Sequence, residues 1–341
     1  MRLALLAVVV ALVAVPSASA SSKLARRVGT AATRSGFSGE VAVARHGRIV
    51  FAQGYGFANR ARARRVTLDT AFNLASMGKM FTGVAAAQLV QNGKLRFGDR
   101  IGTYLPQLPA RLRSITVAQL LDHTSGLGDF FGDPGYDRLL PKLTTLAAYL
   151  PLVTRERLQF RPGTRWSYSN SGFLLAGLVI EKVSGERYDR YLSAHVWKPA
   201  GMSHTGCFER SHLPAFAAIG YDGRAANTRS LAPMGTSAGG CYSSARDLMA
   251  FARALESGRL IARRLVETIT TSKVRAPGGG YGYGFGTRTG GTIWHNGGAP
   301  GAAGELDINP KLGVVAVVLG NVSPPHVFPV VAAAVNALRL P

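Results

Sequence analysis

What most limits the fold of this chain is where its strand-forming and helix-forming segments fall. Residues 39–56, GEVAVARHGRIVFAQGYG, carry the β-formers Val41, Val43, Ile49 and Phe51 on either side of His46-Gly47, and predict a hairpin turned at that dipeptide. Strand-like pieces return only near the other end, at Tyr281 to Thr287, Gly291 to His295, Ala303 to Ile308 and Val314 to Leu319, separated by Gly, Asn and Pro. Helical patterns fill the space between. Residues 75–92 set Met80, Val84, Leu89 and Val90 at helical spacing and close on Asn92-Gly93. Thr116 and Gln119 read as a capping box opening a further helix. Residues 171–183 predict an apolar helix ending near Ser184-Gly185, and Phe328 to Leu340 a closing one. The economical architecture is α/β (α+β): one antiparallel sheet made from both chain ends, flanked by helices, with a mostly helical middle, roughly residues 100–235, inserted.

With 341 residues, 47% of them hydrophobic, the chain can bury a large core, which excludes a disordered protein. Met1-Arg2, the apolar run Leu3 to Val15 and the small residues Ala18-Ser19-Ala20 form a secretory signal pattern. Cleavage after Ala20 would leave a single domain of residues 21–341, secreted or periplasmic, with no transmembrane segment. In such a compartment Cys207 and Cys241 could pair, or remain two buried thiols; their spacing does not decide. The formal net charge is +22, mostly from arginine, with a cluster at Arg60, Arg62, Arg64 and Arg65. An anionic envelope polymer or lipid headgroup is one partner this charge suits. Arg-rich composition spread over a solvated face is the simpler reading. No nucleic-acid motif or aromatic–basic interleaving accompanies the charge, so no nucleic-acid partner is expected.

Three motifs carry chemistry. Ser76-Met77-Gly78-Lys79 opens the first predicted helix, so Ser76 and Lys79 share one face. A serine hydroxyl needs a base beside it. A lysine serves if burial lowers its pKa, and helix-start N–H groups lie where an oxyanion would develop. Tyr168-Ser169-Asn170 lies in a Gly/Ser/Asn-rich loop before a helix. A tyrosine beside a lysine can act as a base, and an asparagine amide can bond both the lysine and a substrate carbonyl. Packing of Tyr168 at a helix entry, with Asn170 as cap, is the bland alternative. His295-Asn296-Gly297-Gly298 ends a strand, where glycine allows close approach of a substrate backbone. A tight turn with an incidental histidine is the alternative there. His123-Thr124-Ser125-Gly126 reads as a turn ending a helix. No H-E-x-x-H spacing is present, so neither a catalytic zinc nor any other cofactor is expected.

Together and in this order, the motifs resemble the serine β-lactamase and penicillin-binding-protein superfamily. Tyr168 in the middle element and His295 in the strand are similar to the class C β-lactamase and D-alanyl-D-alanine carboxypeptidase/esterase branch. So are ITVAQLLDHTSGL (115–127), residues 160–192, VWKPAGMSHT (196–205) and GGCYSSARDLMAFARAL (239–255), and the resemblance covers most of residues 35–322. It implies a β-lactamase/transpeptidase-like fold with Ser76 as nucleophile. Lys79 and Tyr168 would share the acid–base work. Asn170, His295 and Gly297 would orient the substrate, and the N–H groups of Ser76 and Gly298 would form the oxyanion hole. His295 and Asn296 stand where many members carry Lys and Thr, which weakens recognition of a β-lactam carboxylate. The expected activity is hydrolysis of small esters, or of peptides and amides containing D-amino acids, through an acyl-enzyme. A β-lactamase and a catalytically idle penicillin- or cell-wall-peptide-binding protein are the alternatives.

Overall fold

The computed structural model describes residues 18–338. Helix α1 (Ala18–Ser35) leads into β1 (Gly39–Arg45) and β2 (Arg48–Tyr55), the hairpin read from residues 39–56. A ribbon of β3 (Phe57–Asn59) and β4 (Arg64–Arg65) follows, then β5 (Ala71–Asn73), a 3₁₀ turn (Ala75–Gly78) and α2 (Lys79–Gln91). The short helices α3 (Ala110–Arg113), α4 (Val117–Leu121), α5 (Tyr136–Leu139) and α6 (Leu150–Val153) lead to α7 (Asn170–Ser184), α8 (Tyr188–Leu192) and α9 (Lys198–Ala200). A second ribbon, β6 (Tyr221–Asp222) and β7 (Ala225–Ala226), precedes β8 (Tyr242–Ser244), which pairs with β5. Helices α10 (Ala245–Glu256) and α11 (Arg263–Thr270) then give way to β9 (Val274–Ala276), β10 (Gly279–Tyr281), β11 (Gly286–Arg288), β12 (Thr292–Ala299), β13 (Ala302–Asn309), β14 (Val314–Gly320) and α12 (Pro324–Leu338).

Eight strands form one antiparallel sheet in the order β2-β1-β14-β13-β12-β11-β10-β9. Strands from opposite ends of the chain meet within it, one strand in from the β2 edge, where Val41 faces Val318 across the β1–β14 register. The two-residue period sends alternate side chains to opposite faces. Val41, Val43, Ala316 and Val318 pack under α1 and α12 against Leu24, Val28, Val327 and Val330. Ala42, Ala44, Val317 and Leu319 face the larger core with α2, α7 and α10. Helix α2 runs through that core, buried from Lys79 to Leu89, so it has no solvent stripe.

Local signals set the helix ends. Thr116 and Gln119 make the reciprocal capping box at the start of α4. Ser169 caps α7 by accepting the Gly172 N–H at 2.9 Å, and Gly185, at φ 77°, ends that helix in the left-handed conformation.

Three expectations change. Tyr281 to Thr287 is not one strand: Gly282 to Phe285 turn away between β10 and β11. There the Tyr283 carbonyl packs so tightly on α2 that a Cβ at Gly83 would lie 2.1 Å from it. Strand β9 adds an edge that the sequence reading lacked. The segment Gly291 to His295 runs on to Ala299, so His295-Asn296-Gly297-Gly298 lies within a strand rather than in a turn. Cys207 and Cys241 form a disulfide. The arginine cluster is partly tied down: Arg60 lies over the Tyr221 ring, Arg65 over the Phe57 ring, and Arg64 donates to the Ala217 carbonyl at 2.5 Å. The apolar run of the expected signal peptide lies outside the described residues, while Ala18-Ser19-Ala20 fall in the first turn of α1. Among the described residues, no helix is long and apolar enough to cross a membrane.

Candidate active site

Ser76 sits where three backbone segments converge. At the end of β5, Asn73 Oδ1 accepts the Ala75 N–H at 2.8 Å. Ala75 then takes φ 44°, a left-handed value costly for a residue with a Cβ. Its carbonyl accepts the Gly240 N–H at 3.0 Å, and a Cβ on Gly239 would come within 2.2 Å of that carbonyl oxygen. From β12, Gly297 approaches the other side: a Cβ there would lie 2.2 Å from the Leu74 carbonyl and 2.9 Å from the Ser76 nitrogen. Glycine at both places allows the main chain to hold Ser76 from two directions.

The three motifs come together on this serine. Lys79, at the start of α2, is completely buried. Its Nζ donates to Ser76 Oγ at 3.3 Å, to Asn170 Oδ1 at 2.7 Å and to the Ala238 carbonyl at 2.5 Å. Tyr168 Oη donates to Ser76 Oγ at 2.6 Å, and its ring lies 4.8 Å from Lys79 Nζ. Asn170 donates through Nδ2 to Asp129 at 2.7 Å. The result is a chain of hydrogen bonds from Asp129 through Asn170 and Lys79 to the serine, with Tyr168 entering from the other side.

Burial sets the protonation states. Removing the Lys79 ammonium from water lowers its pKa to about 7, although the Asp129 carboxylate pulls the other way. Burial also holds the Tyr168 phenol well above its ordinary range; the Ser76 hydrogen bond opposes this, and Asp129 adds to it. At neutral pH the pair is therefore a lysine able to accept a proton and a tyrosine that keeps its own.

His295 does not reach the cleft. Its ring is 4% exposed, with Nδ1 2.6 Å from the Asn296 carbonyl and Nε2 2.8 Å from Tyr281 Oη. Nδ1 thus carries the proton and Nε2 accepts from the tyrosine. Burial, reinforced by Lys79, lowers its pKa to about 3, so it presents no positive charge. Gly298, by contrast, lines the cavity with Ser76.

Two further residues pack near the serine: Asp129, which no motif flagged, and His123, which lies in the helix-ending turn expected of it. Asp129 lines the cavity and sits behind Asn170. His123, at φ 63°, is buried against Tyr168 and accepts the Ser169 N–H at 3.1 Å. No spacing pattern flags an aspartate whose role comes from a loop contact. The histidine could have been suspected only from its place in a turn.

The cavity holds about 470 Å³, and its walls include the aromatic residues Phe130, Phe131, Tyr136 and Tyr149. A larger hollow of about 720 Å³ opens between α1 and α12, lined by Arg26, Arg27 and Arg34, but it contains no nucleophile paired with a base.

The beta-lactamase family model matches residues 22–340. The chain belongs to the beta-lactamase family. Within it, PbpX of Bacillus subtilis (strain 168) is 32% identical over 255 residues, covering 74% of this chain and 62% of PbpX. The chain thus spans less than two thirds of that relative, and it spans 40% of penicillin-binding protein 4* from the same organism. The crystal structure of a penicillin-binding protein from Bacillus halodurans is 32% identical, with a TM-score of 0.84 over 91% of this chain and 99% of that one. A D-stereospecific amidohydrolase from Streptomyces sp. is 26% identical, with a TM-score of 0.73 over 92% and 98% of the two chains. The large antiparallel sheet flanked by helices is the β-lactamase/transpeptidase fold of this family.

Proposed function

We propose that this chain is a secreted serine hydrolase that cleaves esters, or amides and peptides containing D-amino acids, through an acyl-enzyme on Ser76. The observation that carries the reading is the placement of Ser76 Oγ 2.6 Å from a protonated Tyr168 and 3.3 Å from Lys79, whose pKa burial lowers to about 7. Neutral Lys79 takes the serine proton as Oγ attacks the substrate carbonyl carbon. The developing oxyanion is received by the backbone N–H groups of Ser76 and Gly298. As the bond to the leaving group breaks, Tyr168 protonates the departing oxygen or nitrogen, and the proton held by Lys79 then restores the phenol. In the second half-reaction Lys79 takes a proton from water as it attacks the ester carbonyl, and as the bond to Oγ breaks that proton passes to Ser76 and the acid product leaves. Asn170 keeps the lysine aimed at the serine throughout.

The buried, neutral His295 favours esters and amides over β-lactams, because it supplies no fixed cation for a ring carboxylate. The similarity to a D-stereospecific amidohydrolase supports the amide arm. An idle binding protein has no chemical need for a base tuned beside the serine. Purified protein should label with a fluorophosphonate and turn over a p-nitrophenyl ester or a D-amino acid amide faster than a chromogenic cephalosporin, with Ser76→Ala as the blank. Equal labelling and turnover in the Ser76→Ala variant would end the assignment. Export rests on residues 1–20 and is tested by the mass of protein recovered from the medium, which should begin at Ser21.

A further inference from the structure

A second cavity, of about 220 Å³, backs onto the active-site cavity. Both are lined by Tyr149, Met234, Gly235 and Thr236, so these residues form the wall between them. The three side chains in that wall differ in freedom. Thr236 is 8% exposed, and its Oγ1 accepts the Ala238 N–H at 3.2 Å. Tyr149 is 1% exposed and fixed edge-on to Phe130, ring centroids 5.0 Å apart. Met234 is half-buried on a loop, and its sulfur lies 3.9 Å from an Nη of Arg187, which lines only the second cavity. Its side chain therefore reaches from the active-site loop toward the far side of the wall. An unbranched thioether with three rotatable bonds can swing aside where a packed tyrosine cannot.

Both sides of that wall present apolar side chains. The active-site cavity has Phe130, Phe131, Tyr136 and Tyr149 in its lining beside the polar Asp129 and Arg210, and the second cavity has Leu143 and Leu146 in its lining beside the charged Glu181, Arg187 and Asp189. We propose that the site accepts acyl groups with apolar substituents, and that Met234 sets the length of the chain it accepts by closing the passage between the two cavities. This rests on the acyl-enzyme reading of Ser76. A short acyl chain fills the first cavity. A longer one must pass Met234 and lay its distal methylenes against Leu143 and Leu146.

The test is the chain-length profile of kcat/KM over the acetyl, butyryl, octanoyl and dodecanoyl p-nitrophenyl esters, in wild type, Met234→Ala and Met234→Phe. Each methylene newly buried is worth about fourfold. Met234→Ala should therefore raise the dodecanoyl-to-butyryl ratio by about tenfold or more, and Met234→Phe should lower it. Thermal melting checks that both variants fold, as expected for a half-buried loop position. The same ratio in all three proteins, or equal changes at every chain length, would overturn the role of Met234. That result leaves the hydrolase reading standing as long as butyryl ester turnover still disappears in Ser76→Ala. Butyryl turnover that survives Ser76→Ala would bring down both.

Discussion

The imidazole of His123 lies tilted against the phenol ring of Tyr168, with ring centroids 4.5 Å apart. The Tyr281 and Phe173 rings close on the same imidazole at 4.7 Å and 5.0 Å. Its Nδ1 accepts the N–H of Ser169, the residue that follows Tyr168. Burial, with Lys79 adding to it, keeps this histidine neutral. The ring therefore acts as a wedge that fixes the tyrosine with its hydroxyl on Ser76. His123→Asn should preserve the backbone, since asparagine tolerates a left-handed φ better than most residues, and it keeps an acceptor for Ser169. It removes the ring behind Tyr168. We expect kcat for a short ester to fall by about 10- to 100-fold with little change in KM, the scale of a displaced catalytic group. An unchanged kcat would mean that the other contacts of Tyr168 suffice to hold it.

In the proposed mechanism Lys79 controls the acid side of the pH profile. It must be neutral to accept the serine proton, and burial puts that change near pH 7. Activity should therefore rise from acid pH through neutrality. Asp129 favours the charged lysine, so Asp129→Asn removes an attraction and lowers the Lys79 pKa further. The acid limb of kcat/KM should move to lower pH in that variant. A limb that stays in place or moves up would show that a different group governs it. Tyr168→Phe deletes the proton donor alone and should cost about 10²- to 10⁴-fold in rate at every pH across that range.

Much of this arrangement was legible because it depends on local pattern. The Thr116–Gln119 box, the His46-Gly47 turn and the Ser76/Lys79 spacing are short-range features, and each appears where the residues placed it. What escaped the sequence depends on contacts between distant segments. The break between β10 and β11 exists because the Tyr283 carbonyl meets Gly83 and the Gly284 N–H bonds the Leu121 carbonyl at 3.1 Å. The state of His295 is set by burial, with Lys79 adding to it, and its ring is held by Tyr281 on a different strand, so a histidine that reads as a weak cation is neutral. Asp129 acquires its place only when its loop folds back on Asn170.

Glu40 offers a test of stability rather than activity. It lies on β1, 1% exposed, with Oε2 unpartnered among the described residues. Burial raises its pKa from 4.5 to about 7; a backbone bond to Gln53 works against this, and Asp69 adds to it. Below pH 4.5 both folded and unfolded chains carry the proton, and the site costs nothing. Between pH 4.5 and about 7 the unfolded chain releases it first, so stability falls, and above that range the loss levels off at about 3 kcal/mol. Glu40→Gln cannot ionise. The variant should lose this pH dependence and be more stable than wild type at pH ~8. Parallel urea-denaturation curves from pH ~4 to ~8 would check it, and two proteins with the same pH slope would exclude Glu40 as its source.

The disulfide links stability to the site. Cys241 follows the Gly239-Gly240 segment, and its carbonyl accepts the Leu74 N–H at 2.8 Å. The same stretch gives Lys79 the Ala238 carbonyl and donates the Gly240 N–H to Ala75. The bridge to Cys207 thus anchors the segment that shapes the turn carrying Ser76, the proposed nucleophile. It closes a loop with a sequence separation of 34, for which chain entropy gives up to about 4 kcal/mol. Replacing both cysteines with alanine should cost roughly 2–4 kcal/mol in denaturant unfolding. It should also slow fluorophosphonate labelling of Ser76 at a temperature where the variant remains folded. An equally destabilising change in the outer core, such as Val28→Ala under α1, should leave the labelling rate of the folded protein as it was. If both variants label at the wild-type rate, the backbone bonds alone hold residues 238–241 in place, and the disulfide acts only on the unfolded chain.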